Sequence, residues 1–427
     1  MQAEETEPIP GPEVSTLPQV GESSANKKKR KKNKKRKNAS QTKSEPQESE
    51  RSVLAGSSPG EDTTRVLVEI PRLVVADVRL GAVASPAFLY LPPPSGRDVV
   101  FVDTINVLRD VANWPVWEKE PPHAAVDHSY RIAESPGKGL GMFATRAIRK
   151  GELIHDERPI YVTSQSLQMS PDQADDANGT FYHNAMSGLS SDAREAIMAL
   201  SNSYPTSSVH NLVGTLRTNY LQVDVTPVPD PDSGYLAVFP TLSRANHSCS
   251  PSANYYFVFD TFSGQLYATR NIAEGEEITI SYSNLLADRQ QRQSQTRKQW
   301  NFICTCETCG LPPPQRLQSD QRRRQLAKIL MQMQMRMPWN TGSRGPSSKD
   351  PLEEVVGWAE AEGLMVVKAQ LLLYGSSARV RPGGGLAQMR STLQRAREAF
   401  VVVEGEKSHN VRQLDPLLLG PLSMLRV

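Results

Sequence analysis

Arg244-Ala245-Asn246-His247-Ser248-Cys249-Ser250-Pro251-Ser252-Ala253-Asn254 sets an amide, an imidazole and a thiol close together in one Ser- and Pro-containing bend. Read alone, the bend is a turn with a hydrogen-bonded His, or a Cys–His pair at i, i+2 acting as nucleophile and base. Residues 304–309 change that weighting. Cys304-Thr305-Cys306-Glu307-Thr308-Cys309 is C-x-C-x-x-C, which gathers three thiols on a short loop, and Cys249 is the one other cysteine in the chain. A structural zinc site takes four tetrahedral soft ligands at about 2.3 Å. The competing readings are two disulfides, disfavoured inside cells, or free thiols. The four-thiolate zinc site is preferred, which makes Cys249 a ligand rather than a nucleophile.

Between bend and loop runs Glu276-Glu277-Ile278-Thr279-Ile280-Ser281-Tyr282-Ser283, which alternates as a strand and ends at Tyr282. A terminal tyrosine is ordinarily packing; here it lies between two segments that a metal would draw together. Further strands are expected at Leu153–Val162, Tyr235–Phe239, Asn254–Phe259 and Leu266–Thr269, with turns at Ser263-Gly264 and Glu274-Gly275-Glu276. Gly139-Leu140-Gly141-Met142-Phe143-Ala144 matches the dinucleotide pattern G-x-G-x-x-A, but that motif requires a following helix whose N-terminus meets a pyrophosphate. The residues here continue as a strand toward Ile148, so a tight Gly-rich turn between strands is the reading, one that lets backbone approach a small ligand closely.

The rest of the chain supplies context. Of 427 residues, 38% are hydrophobic and 22% charged, room for two or three domains. No apolar run reaches the ~18 residues of a membrane helix, and the acidic start Met1-Gln2-Ala3-Glu4-Glu5 predicts no secretory signal. The net charge of +3 hides a block, residues 27–37, with ten Lys or Arg; the remaining chain holds 39 basic against 46 acidic residues. Residues 1–62 are poor in apolar side chains and are expected to be disordered, the basic block serving as an import signal, a nucleic-acid contact or a solubilising tail. Val66–Ile70 and Leu73–Val75 read as short strands, Trp114-Pro115-Val116-Trp117 as a packing elbow, 164–188 as polar loop, and 190–203 as a helix capped by Ser190 or Ser191. After Pro312-Pro313-Pro314, helical periodicity at Leu326, Ile329, Leu330 and Met333, a capped start at Asp350-Pro351, and a stripe from Leu386 to Val403 predict a module of three to five helices.

Together GKGLGMFA (137–144), RTN (217–219), RANHSCSPSAN (244–254), GEEITISY (275–282) and WNFICTCETC (300–309) resemble a SET-domain protein-lysine methyltransferase with a post-SET zinc motif. The resemblance implies a mostly β SET fold of small antiparallel sheets and a pseudo-knot, with a helical insert, a helical C-terminal module and a disordered basic N-terminus. The expected divisions are a tail 1–62, an extension 63–127, a SET domain 128–283 with insert 164–234, a post-SET zinc segment 284–312 and a helical module 320–427. The insert and helical module are similar to the SET group that carries a MYND zinc finger, but this chain lacks the spare cysteines for one. By resemblance, Lys138, Gly139, Leu140, Gly141, Asn219, Asn246, His247, Tyr282 and Phe302 bind S-adenosylmethionine (SAM). The same resemblance makes Tyr282 the family's catalytic tyrosine and places Trp300 where the family often has an aromatic lining the lysine channel. Ser252 departs from the family's usual Asn at a position that is generally structural. The implied reaction is methylation of a protein lysine, histone or otherwise, in the nucleus or in nucleus and cytoplasm. The rival is an inactive SET scaffold that binds protein tails or chromatin.

Overall fold

The computed structural model describes residues 73–75, 86–91, 99–119, 129–167, 175–204, 210–225, 234–339, 350–377 and 385–420. The tail 1–62 with its basic block, and the strand expected at Val66–Ile70, lie outside the described residues.

Among the described residues the first elements are β1 (Leu73–Val75), β2 (Pro86–Leu91), β3 (Val99–Thr104) and α1 (Ile105–Ala112). The chain continues through β4 (Tyr130–Ser135), β5 (Gly139–Ala144), β6 (Leu153–Glu157) and β7 (Tyr161–Ser164). The insert contributes α2 (Asp175–Ser187), α3 (Ser191–Met198) and α4 (Asn211–Asn219), followed by β8 (Tyr220–Val223) and β9 (Tyr235–Val238). Next come β10 (Asn246–His247), β11 (Ala253–Val258), β12 (Ser263–Ala268) and β13 (Glu277–Ile280). The remaining elements are helical: α5 (Arg289–Trp300), α6 (Glu307–Gly310), α7 (Pro313–Gln334), α8 (Pro351–Ala361), α9 (Met365–Ser377), α10 (Gly385–Glu404) and α11 (His409–Leu419).

Among the described residues the strands form three sheets, ordered β1-β2-β3-β7-β9-β8, β10-β13-β5-β4 and β11-β12-β6. Most pairings are antiparallel; β3 with β7 and β10 with β13 run parallel. Successive side chains of a strand face opposite sides, and β3 uses both. Val99 and Phe101 enter a core shared with the smaller sheets, whereas Val100 and Val102 enter one closed by Phe181, Ile197 and Leu216 of the insert helices. The expected helical C-terminal module is present as α7 to α11, around Leu326, Val355, Leu372, Phe400 and Val411.

Three local expectations change. Leu153–Val162 is two strands, because the chain leaves one sheet at Arg158-Pro159 and joins another. The polar stretch 164–188 contains α2, whose residues Phe181, Tyr182, Ala185 and Met186 are buried, and the Phe181 ring lies 5.3 Å from that of Phe88. Ser263-Gly264 belongs to β12, and the reversal comes earlier at Phe259–Thr261, with Phe262 left-handed at φ 48°. Gly264 serves close packing instead, since a Cβ there would meet Leu242 Cδ1 at 2.6 Å and Tyr255 Cε2 at 2.8 Å. The Trp114–Trp117 elbow forms as expected, its rings stacked 6.5 Å apart.

Candidate functional site

β13 is the organising strand, lying between β5 on one side and β10 on the other. Its antiparallel register sets Glu277 opposite Phe143 in the Gly-rich strand, while its parallel register sets Asn246 beside Thr279 and His247 beside Ile280. Three motifs far apart in the chain therefore meet just before Tyr282.

Their polar groups converge on Glu277. Its carboxylate accepts from Ser135 Oγ at 2.8 Å, Asn246 Nδ2 at 2.8 Å and Lys138 Nζ at 2.6 Å, and Asn246 Nδ2 also donates to the Leu140 carbonyl at 3.2 Å. Burial acts to raise the Glu277 pKa, but the bonds from Lys138, Asn246 and Ser135 prevail and hold it below the ordinary carboxylate value. Gly141 is the residue that admits this cluster, because a Cβ would lie 2.7 Å from Glu277 Oε1 and 2.9 Å from Asn246 Nδ2. Gly137 and Gly139 carry positive φ at the preceding turn.

His247 Nδ1 accepts the Tyr282 amide at 2.9 Å, and Nε2 lies 3.4 Å from Cys249 Sγ. Burial lowers the pKa of His247 to about 4. The ring is therefore neutral, and with Nδ1 accepting, the proton resides on Nε2. Tyr282 donates its hydroxyl to the Ala245 carbonyl at 2.7 Å, and its ring lies 5.0 Å from that of Trp300. Burial, with Glu277 nearby, pushes the phenol pKa up, so the O–H stays protonated. Trp300 is fixed by its Nε1–H, which donates to the Thr218 carbonyl at 3.0 Å. Asn219 donates to the carbonyls of Ser201 and Thr215, both at 2.7 Å. Ser252, in the bend, is buried and accepts the Thr279 amide at 2.9 Å, tying the bend to β13.

α5 ends at Asn301, left-handed at φ 56°, and that reversal throws Phe302, Ile303 and the cysteine loop back across the bend. The ligand atoms of Cys249, Cys304, Cys306 and Cys309 all lie within 4.8 Å of one another, with Cys249 Sγ 3.9 Å from Cys304 Sγ and 3.6 Å from Cys309 Sγ. Four sulfurs about 2.3 Å from one ion would be spaced about 3.8 Å apart. The donor set thus fits a tetrahedral thiophilic metal, and all four cysteines are free of disulfides.

Two cavities flank Tyr282. One, of about 400 Å³, is lined by Lys138, Leu140, Asn219, Asn246, His247, Tyr282, Trp300, Phe302, Cys304 and Cys306. Gly139 and Gly141 belong to the strand that carries Leu140 to it. The second, of about 830 Å³, is lined from the other side by Tyr220, Leu221, Ala245, Tyr255, Ile280, Tyr282 and Trp300. Thr218, Asn219, Ser243, Tyr282 and Trp300 line both, so the cavities meet at the Tyr282–Trp300 pair. Sequence reasoning missed Glu277, Ser201, Ser243 and Arg244. The period-2 pattern of β13 was the available signal for Glu277, whereas Ser201 arrives only through the folding of the insert.

A family model described as SET domain matches residues 139–283. Residues 139–283 form a SET domain. The histone-lysine N-methyltransferase set5 of Schizosaccharomyces pombe is 28% identical over 199 residues, 46% of this chain and 56% of that protein. The histone-lysine N-methyltransferase SET5 of Scheffersomyces stipitis is 41% identical over 73 residues, 17% of this chain and 15% of that one. The histone-lysine N-methyltransferase SMYD1 of Homo sapiens is 38% identical over 85 residues, 17% of each. The chain thus spans little more than half of the fission-yeast relative, 56%, and far less of the other two. The SET domain holds the glycine strand, the bend and Tyr282; Trp300, Phe302 and three of the four cysteines follow it in the chain. Among the described residues, no helix is long and apolar enough to cross a membrane.

Proposed function

We propose that this chain transfers a methyl group from SAM to a lysine side chain of a protein. The observation that carries the reading is the meeting of two cavities at Tyr282 and Trp300 within and beside a SET domain. SAM, when bound, supplies an electrophilic methyl on a positive sulfonium. The smaller cavity suits it by lining: cationic Lys138 and Arg244 for a carboxylate, and Phe302 with half-exposed Leu140 and Ile303 for a heteroaromatic ring. The larger cavity receives the substrate segment, with the lysine directed between Tyr282 and Trp300.

The residues explain how such a site works without a strong base. A lysine ammonium has a pKa of about 10.4 and must lose a proton to act as nucleophile. Desolvation beside aromatic rings, and a neighbouring positive centre, both favour the neutral amine. Tyr282, held neutral and anchored to the Ala245 carbonyl, orients the amine and restricts its approach. Trp300, fixed on Thr218, forms the opposite wall and excludes water.

The four cysteines would hold zinc in a structural role, making residues 302–306 a wall of the donor cavity. In this reading the SET domain spans 128–283 with insert 164–234, residues 284–312 form the post-SET segment, and 320–427 form the helical module. The histone-methylating relatives favour histone among protein substrates and nuclear residence, with the block 27–37 as import signal. Elemental analysis and calorimetric titration with SAM test the site: about one zinc per chain and saturable binding support it. Absence of both would overturn it.

A further inference from the structure

Among the described residues, Arg292 of α5 and Arg323 of α7 are the largest fully buried side chains, and both reach the cysteine cluster. Arg292 points Nη2 at Cys309 Sγ, 4.0 Å away, donates Nη1 to the Ala287 carbonyl at 2.5 Å, and has Asp320 at 3.7 Å. Arg323 donates Nη2 to the carbonyl of Cys249 at 3.1 Å, Nη1 to that of Leu285 at 2.6 Å, and Nε to Glu362 Oε2 at 2.9 Å. Glu362, at the end of α8, also accepts from Ser319 Oγ at 2.5 Å and Arg322 Nε at 2.7 Å. The next residue, Gly363, has φ 70°, and a Cβ there would sit 2.2 Å from Ser250 Oγ. Arg323 of α7 and the α8–α9 turn therefore press directly on Cys249–Ser250.

Packing two helices does not call for this arrangement. Burying a guanidinium is costly, and apolar residues of similar volume often serve as well or better. A divalent ion held by four thiolates carries a net charge of −2, however, and the groups around metal ligands orient them and tune metal affinity. Resting on the zinc reading above, we propose that Arg292 and Arg323 form the outer cationic shell of the thiolate centre. The helical module, through Arg323 and Glu362, then fixes the Cys249 ligand from outside the SET domain. Metal retention becomes a joint property of the SET domain, the cysteine loop and the helical module.

The test is zinc release to a chromophoric chelator from the full chain, read alongside the melting temperature. Arg323→Met is expected to release zinc at least about tenfold faster than wild type, the scale of outer-shell losses at metal sites. Arg323→Lys keeps the charge but not the fork, and should fall between. Leu414→Ala, in the module core, controls for destabilisation alone: it should lower the melting temperature and leave release near the wild-type rate. Wild-type release from Arg323→Met overturns the proposal, as does Leu414→Ala releasing as fast at equal loss of melting temperature. If Arg323→Met does not fold, Arg323→Lys decides on the same readout. Zinc absent from the wild-type protein would fail the metal reading itself, a result distinguishable before any variant is made.

Discussion

Tyr282 and His247 are locked by a single hydrogen bond, from the tyrosine amide to the imidazole Nδ1 at 2.9 Å. The same imidazole turns Nε2 toward Cys249 Sγ at 3.4 Å. A backbone amide beside the smaller cavity is thereby connected to a thiol of the cysteine cluster through one neutral ring. All four cysteines lie 22 to 33 residues from Tyr282 in sequence, yet one imidazole links the cluster to the tyrosine backbone.

The tyrosine hydroxyl is the group with most to lose. Tyr282→Phe removes the bond to Ala245 but keeps the ring on Trp300 and the amide on His247. Turnover should fall about 10²–10³-fold, the range for losing one oriented donor at a reacting centre. SAM affinity by calorimetry should change little, and thermal unfolding should report a loss of about 1 kcal/mol for the hydrogen bond.

Gly141→Ala places a methyl group against Glu277 Oε1 at 2.7 Å and Asn246 Nδ2 at 2.9 Å. Overpacking of this kind costs about 1–3 kcal/mol. Because Asn246 and the Leu140 backbone belong to the same cavity wall, SAM affinity should drop with stability. Chemical denaturation and calorimetry on one preparation check both effects.

Stripping the metal should disable the donor cavity while the helical core stays folded. Cys304 and Cys306 line that cavity, and Phe302 stands two residues before the first of them. A ligand present at 100 times its dissociation constant contributes about 2.7 kcal/mol, so chelation should lower stability by at least that much. SAM binding should vanish with the metal and return on adding zinc. Cys309→Ser should behave as the stripped protein does.

Glu277 gives the site a defined acid limit. Its folded pKa lies below the ordinary 4.5, so its stabilising contribution is complete above that value and is lost as pH falls through the lower folded pKa. Glu277→Gln should therefore flatten the acid side of a stability-against-pH curve below about pH 4.5 and leave the neutral region parallel to wild type. A fluorescence-monitored denaturation series across acidic pH measures this directly.

Much of the site was readable because its chemistry is written in short words. C-x-C-x-x-C, the NHSC bend and the strand ending at Tyr282 each state their ligand or hydroxyl within a few residues, and a single leftover cysteine joins them. What stayed hidden depends on partners from elsewhere. Glu277 was read only as part of the alternating strand, and only pairing with β5 brings Lys138 and Ser135 to it. α2 was concealed by polar residues, because the burial of Phe181 under Phe88 is a tertiary event. Gly264 read as a turn residue, yet crowding by Leu242 and Tyr255 explains it. Arg292 and Arg323 sit in very polar helices, and nothing in their local sequence marks them as buried.

Methyl transfer itself is the decisive measurement. Purified protein is incubated with isotopically labelled SAM and a nuclear extract, and modified residues are mapped by mass spectrometry beside a Tyr282→Phe control. The account predicts label on specific lysine side chains with the wild-type protein and almost none with the variant. Wild-type protein that binds SAM but labels no lysine, or labels equally well without the Tyr282 hydroxyl, would contradict it.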